Sequence, residues 1–101
     1  MEIIAKITKI GAMNERQYTN RQTGQVETFR TVGVWLYRGG DVIYCEAVQE
    51  NASKLIEAQV QNDLQNTTCF LRLTSMVRDY TDRNNEVHYT TEMRLQAWEK
   101  L

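Results

Sequence analysis

Hydrophobic and polar residues alternate along most of this chain, and once the spacing changes to a helical one. Glu2 to Ile10, EIIAKITKI, is rich in isoleucine and alternates over part of its length, which predicts a strand closed by Gly11. Ala12 to Gln25 is polar and holds the turn signal Thr23-Gly24. It reads as a long loop or flexible hairpin carrying Arg16, Tyr18 and Arg21. In Val26 to Arg38, Val32, Val34 and Leu36 fall on one face of a strand, and Thr31, Gly33, Trp35 and Tyr37 on the other. Gly39-Gly40 is a two-residue hairpin signal, and Asp41 to Val48 returns antiparallel. In the return strand Ile43, Cys45 and Ala47 share one face, and Val42, Tyr44 and Glu46 the other.

The period then changes. Ala52, Leu55, Ile56, Val60 and Leu64 recur at helical spacing, so a helix is predicted from about residue 51 to about residue 64, with Asn51 as its N-cap. Glu50, Glu57 and Asp63 make it the acidic element. Thr67 to Val77 returns to period two, with Cys69, Leu71, Leu73, Ser75 and Val77 on one face and Phe70, Arg72, Thr74 and Met76 on the other. A hairpin follows, with Arg83-Asn84-Asn85 at its tip. Beyond it Val87, Tyr89, Thr91, Met93, Leu95 and Ala97 alternate with His88, Thr90, Glu92, Arg94, Gln96 and Trp98. Five strands with one helix between the third and fourth is the order of the OB-fold, an all-β, five-stranded Greek-key barrel. Residues 1–101 are predicted to form one such domain, with long hairpins joining strands 1–2 and 4–5.

Composition narrows the class. A chain of 101 residues can bury one modest core without metals or disulfides. Cys45 and Cys69 lie inside apolar strand-like runs and have no CxxC or Cys/His spacing, so both are expected to be buried and reduced. No apolar run approaches the roughly 18 residues that span a bilayer, and MEIIAKITKIGAM lacks the layout of a signal peptide. A cytoplasmic protein without a membrane partner is expected. There is no P-loop, GxSxG, HExxH or Gly-rich dinucleotide turn. The one histidine, His88, sits beside a hairpin, and the carboxylates are scattered. An enzyme is therefore the least favoured class, and no cofactor or metal is implied.

The net charge of −1 is unevenly placed: residues 1–40 carry +3, residues 41–66 carry −4, and residues 67–101 balance. Such a chain can present one basic and one acidic face. Single-strand binders need aromatic faces for bases and cations for phosphates. Trp35 and Tyr37 have Arg30 and Arg38 nearby, and Tyr44 lies on the adjacent strand. The first hairpin offers Tyr18 with Arg16 and Arg21, and the last offers Tyr80 with Arg78 and Arg83; Arg72 lies on the fourth strand. In an OB-fold these hairpins flank the face of strands 2–3 that binds oligonucleotides. The competing reading of Trp35 and Tyr44 is a subunit or barrel contact, and of Tyr80 a solvated hairpin aromatic.

The last hairpin also carries a specific pattern: Arg78, any residue, Tyr80, Thr81-Asp82, a polar turn, then Tyr89-Thr90-Thr91-Glu92. It resembles the bacterial single-stranded DNA-binding protein (SSB) family, whose fourth and fifth strands form a long hairpin with that pattern and spacing. Tyr80 falls where the family usually has a DNA-stacking tryptophan. RQYTNRQTGQ is similar to the family's first long loop, and FRTVGVWLYR to its second strand. Three departures stand out. A Gly-Gly turn replaces a long tryptophan-bearing loop, Val42 (with Tyr44 two residues on) replaces the usual third-strand tryptophan, and the chain ends at Leu101 without the family's Gly/Gln/Pro-rich tail and acidic tip. The chain is thus similar to a tail-less member, close in size to primosomal replication protein N, a dimeric relative; an SSB encoded by a phage or mobile element also fits.

The resemblance implies sequence-tolerant binding of single-stranded DNA in replication, recombination or repair. It also implies assembly as a homodimer or homotetramer through strand faces, with Ile3, Ile4 and Ile7 serving core or interface. Two alternatives stay open. One is RNA in place of DNA. The other is an OB-fold module that binds a replication or mobile-element protein, since this fold hosts many functions and the near-neutral charge and missing tail favour such a role.

Overall fold

The alternating segments become five strands around one helix in the computed structural model, which describes residues 1–101. In chain order they are β1 (Glu2–Thr19), β2 (Val26–Arg38), β3 (Asp41–Val48), α1 (Glu50–Gln61), β4 (Thr67–Thr81) and β5 (Val87–Lys100). The strands close a barrel in the order β1-β2-β3-β5-β4. With the helix between β3 and β4, this is the OB-fold. All pairings are antiparallel except β3 with β5, which is parallel and joins Glu46 to Arg94.

The period-two pattern fills the interior. Ile3, Ala5 and Ile7 of β1, Val32, Val34 and Leu36 of β2, Cys45 and Ala47 of β3, Cys69, Leu71 and Leu73 of β4, and Leu95 of β5 are buried together with Ala52, Leu55 and Leu64. All are apolar, so the core contains no polar side chain in need of a partner. Both cysteines are free, and burial, followed by the charge of Glu46, pushes the Cys45 thiol up to about 12. Ile3 and Ile7 belong to the core, whereas Ile4 is half exposed on the outer surface. No helix is long and apolar enough to cross a membrane.

Several element boundaries differ from the sequence expectation, each for a local reason. β1 does not stop at Gly11 but pairs with β2 as far as Thr19–Val26, leaving only residues 20–25 as the turn. Register shifts between Ile7 and Lys9 and between Ile10 and Met13 carry the strand past the glycine. Ile7, Ile10 and Met13 consequently meet the core at intervals of three rather than two, as bulges allow. A further shift lies between β4 and β5: Arg72 pairs with Ala97 and Leu73 with Leu95, so Gln96 is the extra residue. It inverts the alternation, and Trp98 packs on the core while Ala97, expected beside Leu95, is exposed. The inward face of β4 ends at Leu73, and Ser75 and Val77 are exposed because the strand continues to Thr81 outside the barrel. Helix α1 starts at Glu50 after Gln49, which makes no side-chain cap bond, so Asn51 lies inside the first turn. Val60 is exposed. Leu64 reaches the core from the loop beyond the helix, where its N–H donates to Gln59 Oε1 at 2.7 Å.

Candidate nucleic-acid interface

Trp35 and Tyr44 are cross-strand partners on the outer face of β2 and β3. Their rings meet edge to face, with centroids 4.9 Å apart and planes at 62°. Lys9, opposite Trp35 on β1, places Nζ 4.8 Å from the indole centroid. Gly33 precedes Trp35 on the same face. A Cβ there would lie 2.7 Å from Tyr44 Oη and 3.3 Å from Trp35 Cη2, so the missing side chain is what lets both rings settle on the strand. Tyr37 and Val42 form the next pair and are exposed. Burial, then the neighbouring charge of Glu46, holds the Tyr44 phenol above its ordinary range.

The same face continues onto the first hairpin, where Arg16 pairs with Phe29 and Tyr18 with Glu27. The Arg16 guanidinium stands 5.6 Å from the Phe29 centroid. Tyr18 Oη donates to Glu27 Oε2 at 2.7 Å, and this bond raises its pKa. The β4–β5 hairpin closes the other side. Glu92 Oε2 lies 3.2 Å from Arg78 Nε and accepts from Arg94 Nη2 at 3.1 Å. A groove of about 470 Å³ results, lined by Arg16, Phe29 and Thr31 from β1–β2, Glu46 from β3, and Arg78, Glu92 and Arg94 from β4–β5.

Further along that hairpin Tyr80 stacks on its cross-strand partner His88, with centroids 5.1 Å apart and planes at 19°. Asp82 organises the tip. Its Oδ1 accepts the N–H groups of Asn84 at 2.8 Å and Glu86 at 3.0 Å, and its Oδ2 lies 2.7 Å from His88 Nε2. The bond to His88, then those backbone bonds, holds the Asp82 carboxyl below the usual carboxylate range. The ligand atoms of Asp82, Glu86 and His88 lie within 4.8 Å of one another, which is cation-ligating spacing, although Asp82 is already engaged in shaping the turn.

The structure thus gathers Trp35, Tyr37, Tyr44, Arg16 and Tyr18 on one outer face, with Arg78 across the groove and Tyr80 on the same face of β4 as Arg78. The remaining residues named from the sequence lie elsewhere. Arg30 pairs with Glu15 at 3.5 Å, on the face of the first hairpin opposite Arg16 and Phe29. Arg72 stands on the barrel wall between Glu2 and Ala97. Arg21, Arg38 and Arg83 are exposed at turns or strand ends. Lys9, Phe29 and Arg94 join the surface without having been singled out in the sequence. Phe29 continues the odd-numbered face of Thr31, Gly33 and Trp35, so the period-two pattern already placed it. Arg94 reaches the groove through the parallel β3–β5 register, which no local pattern reveals.

No family model matches the chain, and no curated protein matches it. Among solved structures it is similar to the mitochondrial single-stranded DNA binding protein Rim1 from S. cerevisiae. The TM-score is 0.56 at 8% identity, over 100% of this chain and 92% of that one. At that identity the likeness is one of fold: this chain has the OB-fold seen in a single-stranded DNA binding protein.

Proposed function

We propose that this protein binds single-stranded DNA with little sequence preference. The observation that carries the reading is continuity. The Trp35–Tyr44 pair sits one same-face step from the Gly33–Glu46 pair, and Glu46 lines the arginine-bearing groove between the hairpins. Aromatic surface and cations therefore share one path, on the face that OB-folds use for oligonucleotides. Trp35, Tyr44 and Tyr80 stack on bases, with Tyr37 and Tyr18 extending the platform. Stacking is tolerant of sequence because every base has a π-face. Arg16 and Arg78 neutralise phosphates in the groove, Arg21, Arg38 and Arg83 extend the cationic path at the turns, and Arg30 and Arg72 add to the longer-range field. The fold shared with a mitochondrial single-stranded DNA binding protein supports this reading.

In the finer reading the chain is one non-enzymatic domain of the cytoplasm, serving replication, recombination or repair. It stands near bacterial SSBs and primosomal replication protein N. It assembles with copies of itself through the outer barrel wall, where Ile4 and Phe70 form a partly exposed cross-strand pair. A second reading, a protein-interaction module, draws on the face of the β4–β5 hairpin opposite Arg78, which exposes Val77, Val87 and Tyr89.

The test is a titration with oligo-dT at low and high salt, followed by tryptophan fluorescence. Quenching that weakens as salt rises is expected, because phosphate contacts release counterions. No quenching, together with no binding in an independent low-salt assay, overturns the reading in favour of a protein partner. A single-stranded RNA competitor at equal salt ranks DNA against RNA.

A further inference from the structure

The groove between the hairpins already holds an anion of its own, the carboxylate of Glu92. One oxygen of that carboxylate serves both Arg78 Nε and Arg94 Nη2. Arg94 is the more enclosed of the two arginines, with 13% of its side chain exposed, and its Nε has no hydrogen-bond partner. In a guanidinium the Nε–H and the neighbouring Nη2 share one edge, which binds two oxygens side by side. Glu92 therefore leaves half of that edge unused, and an enclosed charged donor without a partner is costly. Arg78 is more than half exposed, so its contact with Glu92 is of the weakly held, solvent-screened kind. Arg16 lines the same groove above the Phe29 ring.

We infer that Glu92 is a built-in stand-in for a phosphodiester, and that an entering single strand takes Arg78 and Arg94 away from it. The inference rests on the strand-binding reading and adds a gate to it. A phosphodiester presents two non-bridging oxygens, enough to occupy both Nε and Nη2 of Arg94, which the carboxylate does not do. Until a strand arrives, Glu92 holds the two arginines in the groove and keeps other anions off them. The gate makes Glu92 an inhibitor of binding, so removing its charge tightens the complex.

Wild-type protein and Glu92→Gln are titrated with fluorescent oligo-dT by anisotropy, and circular dichroism melting checks the fold. The expected result is binding about three- to tenfold tighter in the folded variant. Unchanged or weaker binding by a folded Glu92→Gln overturns the gate and leaves strand binding in place. If neither protein binds, the strand-binding reading falls and the gate with it. Should the variant not fold, the Nε–H resonances of Arg78 and Arg94 in ¹⁵N-labelled wild-type protein decide. Shifts on adding oligo-dT, absent with inorganic phosphate at the same phosphate concentration, support a strand phosphodiester. Stationary resonances in the saturated complex, or equal shifts with inorganic phosphate, overturn it.

Discussion

The barrel and its two hairpins are built from the same strands but held by different forces. Every buried residue belongs to the barrel, to α1 or to Leu64 just beyond it. From Asn14 to Arg30, and again from Thr74 to Arg94, no residue is buried. The radius of gyration is 15.6 Å, against about 13 Å for a compact chain of this length, because the hairpins project. Hydrophobic burial holds the barrel. The arms depend on their backbone ladders and on cross-strand pairs such as Tyr80–His88, which contribute about 0.2–1 kcal/mol each. An arm held this way can open and close without disturbing the core, which suits the proposed entry of a single strand between the two hairpins.

The largest effect that tests this division is on stability. Leu71→Ala or Leu36→Ala leaves a cavity in the barrel and costs about 2–5 kcal/mol, read from urea denaturation. Val77→Ala, on an arm of the same sheet, changes stability by no more than about 0.5 kcal/mol. Equal losses at Leu71 and Val77 would break the contrast between barrel and arm. The next effect is on binding. Trp35→Ala and Tyr80→Ala each weaken oligo-dT binding by about 1–3 kcal/mol at fixed salt, and Tyr80→Ala leaves the melting temperature near that of the wild type. If both variants bind as the wild type does, the surface has been assigned wrongly.

The same contrast explains what can be read from the sequence. Barrel strands announce themselves because one face is buried: Val32, Val34 and Leu36 alternate with Thr31, Gly33 and Trp35, and the element order alone then gives the OB-fold. The arm of β1 from Ala12 to Thr19 reads as a loop because neither face is fully buried and the pairing lies in the backbone. Bulges defeat a period-two pattern locally, which is why Ala97 and Trp98 exchange roles. The aromatic part of the candidate surface is legible because Trp35 and Tyr44 sit on strands whose inward faces are already satisfied. Arg94 is not, because its neighbour Glu46 comes from a strand far earlier in the chain through a single parallel bridge.

Gly33→Ala sharpens the contrast on the binding side. The added methyl would meet Tyr44 Oη at 2.7 Å and Trp35 Cη2 at 3.3 Å. Both are the far ends of rings on the outer face, so they yield and the core does not. Reduced conformational freedom in the unfolded chain offsets part of the strain. Oligo-dT binding is expected to weaken by about 1 kcal/mol, the lower end of what one stacked base contributes, with little change in melting. Unchanged affinity would mean that Gly33 does not set the ring positions.

The smallest effect lies at the tip of the last hairpin. His88 and two backbone N–H groups hold the Asp82 carboxyl below the usual carboxylate range. A carboxyl whose folded pKa is depressed contributes order above its unfolded value and loses it as pH falls through the folded one. Protonation of the Asp82 carboxyl therefore does not disturb its two backbone bonds until the pH falls below about 4, the ordinary aspartate range, and loosens them there. Amide chemical shifts of Asn84 and Glu86, followed by NMR as pH is lowered, report the change, and the amides of the buried β4 residues Leu71 and Leu73 serve as the control. Asp82→Asn removes the carboxylate contact with His88 and moves the same two tip amides at neutral pH. Tip amides that move while those of Leu71 and Leu73 stay put show an arm responding apart from the barrel. If all four move together, arm and barrel form one cooperative unit.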